Sequence, residues 1–297
     1  MVTPLVLVRN TRKADDYESL LVSRNINPQR RSAMNKRQFT IIGLVSLFSL
    51  AIPSESPAQM IRFIALWEVA GDNATLDEWY RQTHSQEVLE RTGPWLTRYW
   101  AYRSHRLGPN ADRYNVTRYR VTEMWYPSLD ARLEAAENMG VLSPAPPSQE
   151  EPRDKTLISR IFVPANPTER FVKFIPPRRE RPYFRWLMVM RFPDSVSTEE
   201  ADAWYTNVHA PELAKMPGVL RFVSHKAVSS PALNQSWTRY SELWFDSYDD
   251  WKSAFLDSTL NFTKPAWGGM FPFTDIISAF TADRPDMDFL EMKRRIP

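Results

Sequence analysis

Two stretches of the chain carry a tyrosine, a histidine and a glutamate at one spacing: residues 76–94, LDEWYRQTHSQEVLERTGP, and residues 201–219, ADAWYTNVHAPELAKMPGV. Tyr80, His84 and Glu87 stand at i, i+4 and i+7, as do Tyr205, His209 and Glu212, so on an α-helix each trio lines one stripe. Ala201, Trp204 and Val208 form the neighbouring apolar stripe, which places the polar trio on the shoulder of a buried face. A histidine held there is partly desolvated, and its pKa can be tuned for proton transfer near neutral pH. The catalytic set read from this pattern is His209, His84, Tyr205, Tyr80, Glu212 and Glu87, with the tyrosines and glutamates orienting a substrate. Pro211 lacks an amide hydrogen and disfavours the α conformation at Ala210, so the second helix is expected to break or kink just after His209.

A second set suits substrate binding. His105 and His225 complete the four histidines of the chain, and Arg120 with Glu123 corresponds to Arg239 with Glu242. An arginine such as Arg239 can hold a carboxylate or an enolate oxygen. For the two glutamates, salt bridges between the repeats are the alternative. Trp204 and Trp79 are candidates to wall a ligand cavity. A His-x-x-Glu spacing also suits a metal ion, but no third ligand stands out, and the reading takes no metal and no cofactor.

These residues recur because the chain repeats. Tyr80, His84, Glu87 and Gly93 match Tyr205, His209, Glu212 and Gly218 at an offset of 125, and VTEMWYPSLDA (121–131) matches YSELWFDSYDD (240–250) at an offset of 119. Each repeat reads as strand, helix, strand, strand, helix, strand. In the first, strands are expected at 61–70, 97–105, 116–126 and 156–164, with helices at 76–90 and 129–139. In the second, strands are expected at 183–192, 219–228, 237–245 and 274–282, with helices at 198–210 and 247–257. The order βαββαβ, twice, is the split βαβ or ferredoxin-like unit, an α+β fold. The first unit spans 59–170 and the second 183–297, joined by a Pro/Arg-rich linker at 171–182. A Pro-rich tract, SPAPPSQEEPRD at 143–154, is a long insertion, either a lid or binding loop or a plain surface excursion.

The first 58 residues have a different character. Residues 34–59, MNKRQFTIIGLVSLFSLAIPSESPAQ, have a basic start, an apolar run and small residues near a cleavage point, which is the pattern of a secretory signal. The apolar run is short of the about 20 residues that span a bilayer. Residues 1–33 read as an over-extended start, and Lys36-Arg37 approaches a twin-arginine signal, so the protein is expected in the periplasm or outside the cell with no stable membrane span after processing. Residues 1–58 hold 8 of the 38 basic and 4 of the 35 acidic residues, so the remainder is close to neutral and carries no basic footprint for nucleic acid. The absence of cysteine removes disulfides, thiol nucleophiles and thiolate metal sites.

With WYTNVHAPELAKMPGV and YSELWF, and with WYRQTHSQEVLERTGP and TEMWY as a more divergent copy, the chain resembles the EthD-type branch of the dimeric α+β barrel superfamily. The resemblance implies two ferredoxin-like units whose sheets pack into a barrel, here fused as a pseudo-dimer within one chain and open to further oligomerisation. It also implies a cavity between sheet and helices in each unit. Relatives of this kind include cofactor-free cyclases, isomerases and decarboxylases, so the resemblance implies a lyase or isomerase using His-assisted proton transfer on a small hydrophobic, oxygenated substrate. His209 matches the first-helix histidine of that pattern, and His84 matches it with Ser85-Gln86 in place of Ala210-Pro211. A haem- or quinol-type monooxygenase on the same barrel and a non-catalytic periplasmic binding protein are the alternative readings.

Overall fold

The computed structural model describes residues 59–68, 73–144, 159–172 and 180–295. The expected signal segment, most of the Pro-rich insertion and most of the linker lie outside the described residues. The first half comprises β1 (Ile61–Trp67), a helical arm made of α1 (Asn73–Trp79) and α2 (Ser85–Thr92), β2 (Arg98–Arg103), β3 (Arg120–Tyr126), α3 (Leu129–Met139) and β4 (Ser159–Pro164). After the short strand β5 (Glu169–Val172), the second half repeats the order with β6 (Phe184–Arg191), α4 (Thr198–Trp204), α5 (Ala210–Ala214), β7 (Arg221–Lys226), β8 (Arg239–Phe245), α6 (Tyr248–Phe255) and β9 (Asp275–Ala282). A last strand, β10 (Met287–Asp288), and helix α7 (Phe289–Arg295) follow.

Each sheet has five strands, in the orders β10-β2-β3-β1-β4 and β5-β7-β8-β6-β9. The last four strands of each order, β2-β3-β1-β4 and β7-β8-β6-β9, follow the ferredoxin-like order. The sheets pack face to face: Ile64, Leu66, Val121, Ile161 and Val163 from one meet Leu187, Val189, Tyr240, Ile277 and Ala279 from the other. The opposite face of each sheet is covered by its own helices, and the strands are therefore near-continuous apolar runs. The barrel is closed at both seams by equivalent backbone bonds, His105 N–H to the Phe280 carbonyl (2.7 Å) and Val228 N–H to the Phe162 carbonyl (2.8 Å). The fold is thus α+β, with tandem ferredoxin-like units forming one intramolecular barrel.

The halves exchange their ends. Strand β5, which follows the first unit in sequence, pairs with β7 of the second sheet, and β10, from the end of the chain, pairs with β2 of the first. Phe289 beside β10 is buried in the first half's core, 4.7 Å from the Tyr99 ring. A Phe289→Ala variant is expected to lose about 3–5 kcal/mol of stability, the usual cost of deleting a buried aromatic ring, measured as a lower urea midpoint.

Local signals explain the second helices. Ser128 and Ser247, aligned in the two copies, are N-caps, their hydroxyls accepting from the amides of Ala131 (3.1 Å) and Asp250 (3.3 Å). The aligned glycines serve different ends: Gly218 needs its φ of +76°, with Asp250 Cβ only 3.0 Å from where a β-carbon would sit, whereas Gly93 is helical.

The first helices depart from expectation. Ala210 stays in the α conformation (φ −66°, ψ −39°), and the helix continues through Pro211 to Ala214. What precedes it is a π turn, Tyr205–His209, with Ala210 N–H bonded to the Tyr205 carbonyl, five residues back. The extra residue in that turn moves aside the carbonyl that the Pro211 ring would otherwise strike. The first half has the same π turn, Tyr80–His84, without a proline, so the turn belongs to the fold and Pro211 only tolerates it.

Candidate active site

The π turns place the repeated residues. In the second half the insertion of one residue turns Tyr205 and His209 inward together, and both are buried. The Tyr205 hydroxyl shares a hydrogen bond with Ser241 Oγ (2.6 Å), and its ring lies 4.2 Å from the Arg239 guanidinium. Arg239 donates to Asp202 (2.5 Å), Glu169 (2.7 Å) and Ser224 (2.9 Å). The first half repeats the arrangement: Tyr80 bonds Thr122 (2.5 Å), and Arg120 sits 4.9 Å from its ring and donates to Asp77 (2.5 Å) and Asp286 (2.9 Å). Both arginines are fully buried with their terminal nitrogens committed to carboxylates. They therefore anchor the tyrosines rather than a substrate oxygen. One carboxylate in each set, Glu169 or Asp286, comes from the exchanged end of the other half.

Glu212 and Glu87 also have a task different from orienting a substrate. Glu212 accepts from the Thr263 amide (3.0 Å) and hydroxyl (2.5 Å), and Glu87 accepts from the Ser143 amide (2.7 Å) and from its hydroxyl. Each glutamate ties the segment after the second helix to the helix that bears the histidine. The Ser143 bonds hold the Glu87 carboxyl below its ordinary pKa.

His209 lies in a cage of rings. Trp204 stacks on it at 4.6 Å and 13°, with Phe262, Phe271 and Phe273 at 5.7, 5.8 and 5.9 Å. Its Nδ1 is buried without a hydrogen-bond partner, as is the indole nitrogen of Trp204. Desolvation lowers the His209 pKa to about 3, so the ring is neutral at pH 7. His84 has a related setting, with Trp79 at 5.0 Å, Trp67 at 5.3 Å and Tyr80 at 5.4 Å, and the Trp79 indole nitrogen is likewise buried and unpartnered. Burial, partly offset by Glu87, brings the His84 pKa to about 4.

The other predicted residues lie elsewhere. Glu123 and Glu242 are inside the barrel between the sheets, where they form a ring of alternating charge with two arginines absent from the sequence reading. Arg62 reaches Glu123 (2.7 Å) and Glu242 (2.7 Å), and Arg185 reaches Glu123 (3.2 Å) and Glu242 (3.6 Å). The inter-repeat salt bridges thus exist, but with Arg62 and Arg185 rather than Arg120 and Arg239. Arg62 and Arg185 hold the same register, opposite Trp125 and Trp244, and a lone arginine inside each apolar strand was the available signal. His225 is buried beside this ring, its Nδ1 2.9 Å from the Pro164 carbonyl; desolvation, helped by Arg62, lowers its pKa to about 4. His105 is exposed and stacks on Phe184 at 5.6 Å. His225 therefore corresponds to Tyr102, as the shared register opposite Val121 and Tyr240 requires, and not to His105.

The structure accordingly brings together Tyr, His and Trp in each half, separates them from Glu123, Glu242, His105 and His225, and gives Glu87 and Glu212 to the segments after the second helices. The cage rings Phe262, Trp267, Phe271 and Phe273 were missed because they have no matching copy at the repeat offsets. Their one signal was the density of aromatic residues in a Gly/Pro-rich stretch.

Residues 59–143, the first half through the end of α3, match the chalcone isomerase N-terminal domain family. No curated protein matches the chain significantly. Among solved structures, an anthrone oxidase-like protein is similar at 10% identity with a TM-score of 0.45, over 77% of this chain and 92% of its own. Chlorite dismutase from Candidatus Nitrospira defluvii, in complex with imidazole, is similar at 9% identity with a TM-score of 0.40, over 76% and 92%. By its two sheets, its strand order and its closed seams, this chain is a dimeric α+β barrel with both units in one polypeptide.

Proposed function

We propose that the protein is an exported, cofactor-independent isomerase or lyase that moves a proton on a small, planar, oxygenated substrate, with His209 and His84 as the proton-transferring groups. The observation that supports this most directly is the arrangement made twice: a buried, neutral imidazole at a π turn, packed against a tryptophan whose indole N–H lacks a partner. π turns are common at functional sites, and a catalytic role is one of the reasons a buried polar atom is left without a partner. The family matched by the first half is named for an isomerase, which agrees with this reading.

In this reading the neutral imidazole takes a proton from the substrate and returns it at another atom. The imidazolium formed in between faces the Trp204 indole at 4.6 Å, where a desolvated cation gains about 2 kcal/mol or more from the ring. Tyr205 and Tyr80 position the helix turn through their anchored hydroxyls. The test uses protein recovered from its exported form, with a new N-terminus expected near Gln59, and hydroxylated chalcones and lactones followed by absorbance. His209→Ala is expected to lower kcat by roughly 10²-fold or more with an unchanged circular dichroism spectrum. Unchanged turnover removes His209 from the mechanism; saturable binding with no conversion of any compound makes the protein a binding module.

A further inference from the structure

One segment, residues 262–274, FTKPAWGGMFPFT, closes the cage around His209. Several of its hydrogen bonds are internal: Gly268 N–H to the Pro265 carbonyl (2.9 Å), Phe273 N–H to the Met270 carbonyl (2.7 Å) and the Trp267 indole to the Phe273 carbonyl (2.9 Å). It is fastened at its two ends, by Glu212 to Thr263 and, just beyond it, by the Arg191–Asp275 pair at 2.8 Å. At its tip Gly268 and Gly269 hold φ of +76° and +96°, a β-carbon on either would meet open space, and Met270 is 88% exposed. Phe273 is the contrary case. It is buried, yet it adopts φ +65°, a left-handed conformation unfavourable to a residue with a β-carbon, and its ring is spent on covering His209 and Trp204.

On the outer side of Phe273 lies a cleft of about 480 Å³ bounded by Phe192, Trp267, Gly268, Gly269 and Arg191. On the inner side are the two buried atoms without partners, His209 Nδ1 and Trp204 Nε1, on rings stacked 4.6 Å apart, with His209 only 3% exposed. The rings around His209 are those of Trp204, Phe262, Phe271 and Phe273, and Phe273 also lines the cleft, so its ring stands between the two. An unpartnered indole N–H needs an acceptor, and a neutral imidazole nitrogen takes a donor or an acceptor according to its tautomer. A phenolic hydroxyl supplies both.

We propose that residues 262–274 are a flap over a binding site for one planar hydroxylated aromatic molecule, which enters from this cleft when Phe273 swings out and hydrogen-bonds to His209 Nδ1 and Trp204 Nε1. The proposal rests on the reading of His209 as the working group of the second half, and adds to it the ligand class and the gate.

The test is stopped-flow binding of 2-naphthol to the purified protein, followed by tryptophan fluorescence, with naphthalene as the ligand lacking the hydroxyl. Phe273→Ala is expected to raise the association rate constant about tenfold, and the gentler Phe273→Leu to raise it less, with circular dichroism reporting the fold of both. His209→Leu is expected to weaken 2-naphthol about tenfold, the worth of one buried hydrogen bond, and to leave naphthalene unchanged. Association rates unmoved by both Phe273 variants overturn the gate; equal losses for both ligands in His209→Leu overturn the ligand class. Neither readout requires turnover, so these outcomes stay distinct from failure of the proposed reaction, which His209→Ala turnover decides by itself.

Discussion

Arg62→Met is expected to destabilise the protein by about 3–5 kcal/mol, the cost of leaving a buried charge without its partner. Arg62 bridges Glu123 of its own half to Glu242 of the other, each at 2.7 Å, and all of these side chains are at most 8% exposed. With Arg62 gone, Arg185 faces two carboxylates from 3.2 and 3.6 Å, and one negative charge is left over in a dry barrel. Burial alone would push the Glu242 carboxyl up, but Arg62 and Arg185 outweigh it and hold it well below the ordinary range. Urea unfolding measures the loss, and a second variant tests its cause. Replacing Arg62, Arg185, Glu123 and Glu242 together by apolar residues of similar size should recover most of the stability, because desolvation is then removed along with attraction. A quadruple variant as weak as Arg62→Met would show that the four side chains act by their shape rather than their charge.

The second large effect is with pH. His84, His209 and His225 are buried with pKa values lowered to about 4, 3 and 4, chiefly by desolvation. An unfolded chain restores each to an ordinary value near 6.5, so between about pH 6.5 and 4 the unfolded state binds protons that the folded state refuses, and stability falls as pH falls. Each histidine contributes roughly 2 kcal/mol of loss at pH 5, about 6 kcal/mol for the three, which is a large part of the 5–15 kcal/mol typical of a domain. Desolvation lowers the His105 pKa as well, but its exposed side chain leaves it out of this sum. Glu242 adds to the loss only below about pH 4.5, where the unfolded carboxyl takes its proton. The urea midpoint is expected to fall by about half between pH 7.5 and 5, and His225→Leu to remove a third of that dependence. A midpoint that holds steady across this range would mean that the three rings already take up protons in the folded state.

The repeat itself was legible from residue types alone. Apolar strand runs, helical patterns, the two repeat offsets and the matching Tyr-x-x-x-His spacing identify two βαββαβ units, because strand and helix propensities are local physics. The tyrosine–histidine pair also survives intact, since both residues lie within one turn of one helix. The continuity of the helix through Pro211 did not follow from sequence. A proline rule describes an α-helix, and the π turn before it depends on the sheet against which Tyr205 and His209 pack.

Roles that depend on partners distant in sequence belonged to the tertiary structure. Arg239 and Arg120 looked like substrate anchors until Glu169 and Asp286 arrived from exchanged chain ends. Glu212 stood on the right stripe, yet Thr263 lies 51 residues away and claims it. Arg62 and Glu242 meet across a separation of 180 residues. Sequence by itself determined the order of the repeated strands and helices and the pairing of Tyr with His in each copy, because those properties are carried within a turn or a strand. The tertiary fold decided which charges cancel, which loops are fastened and which histidines lose their water, because burial and Coulomb attraction act through space and are indifferent to order along the chain.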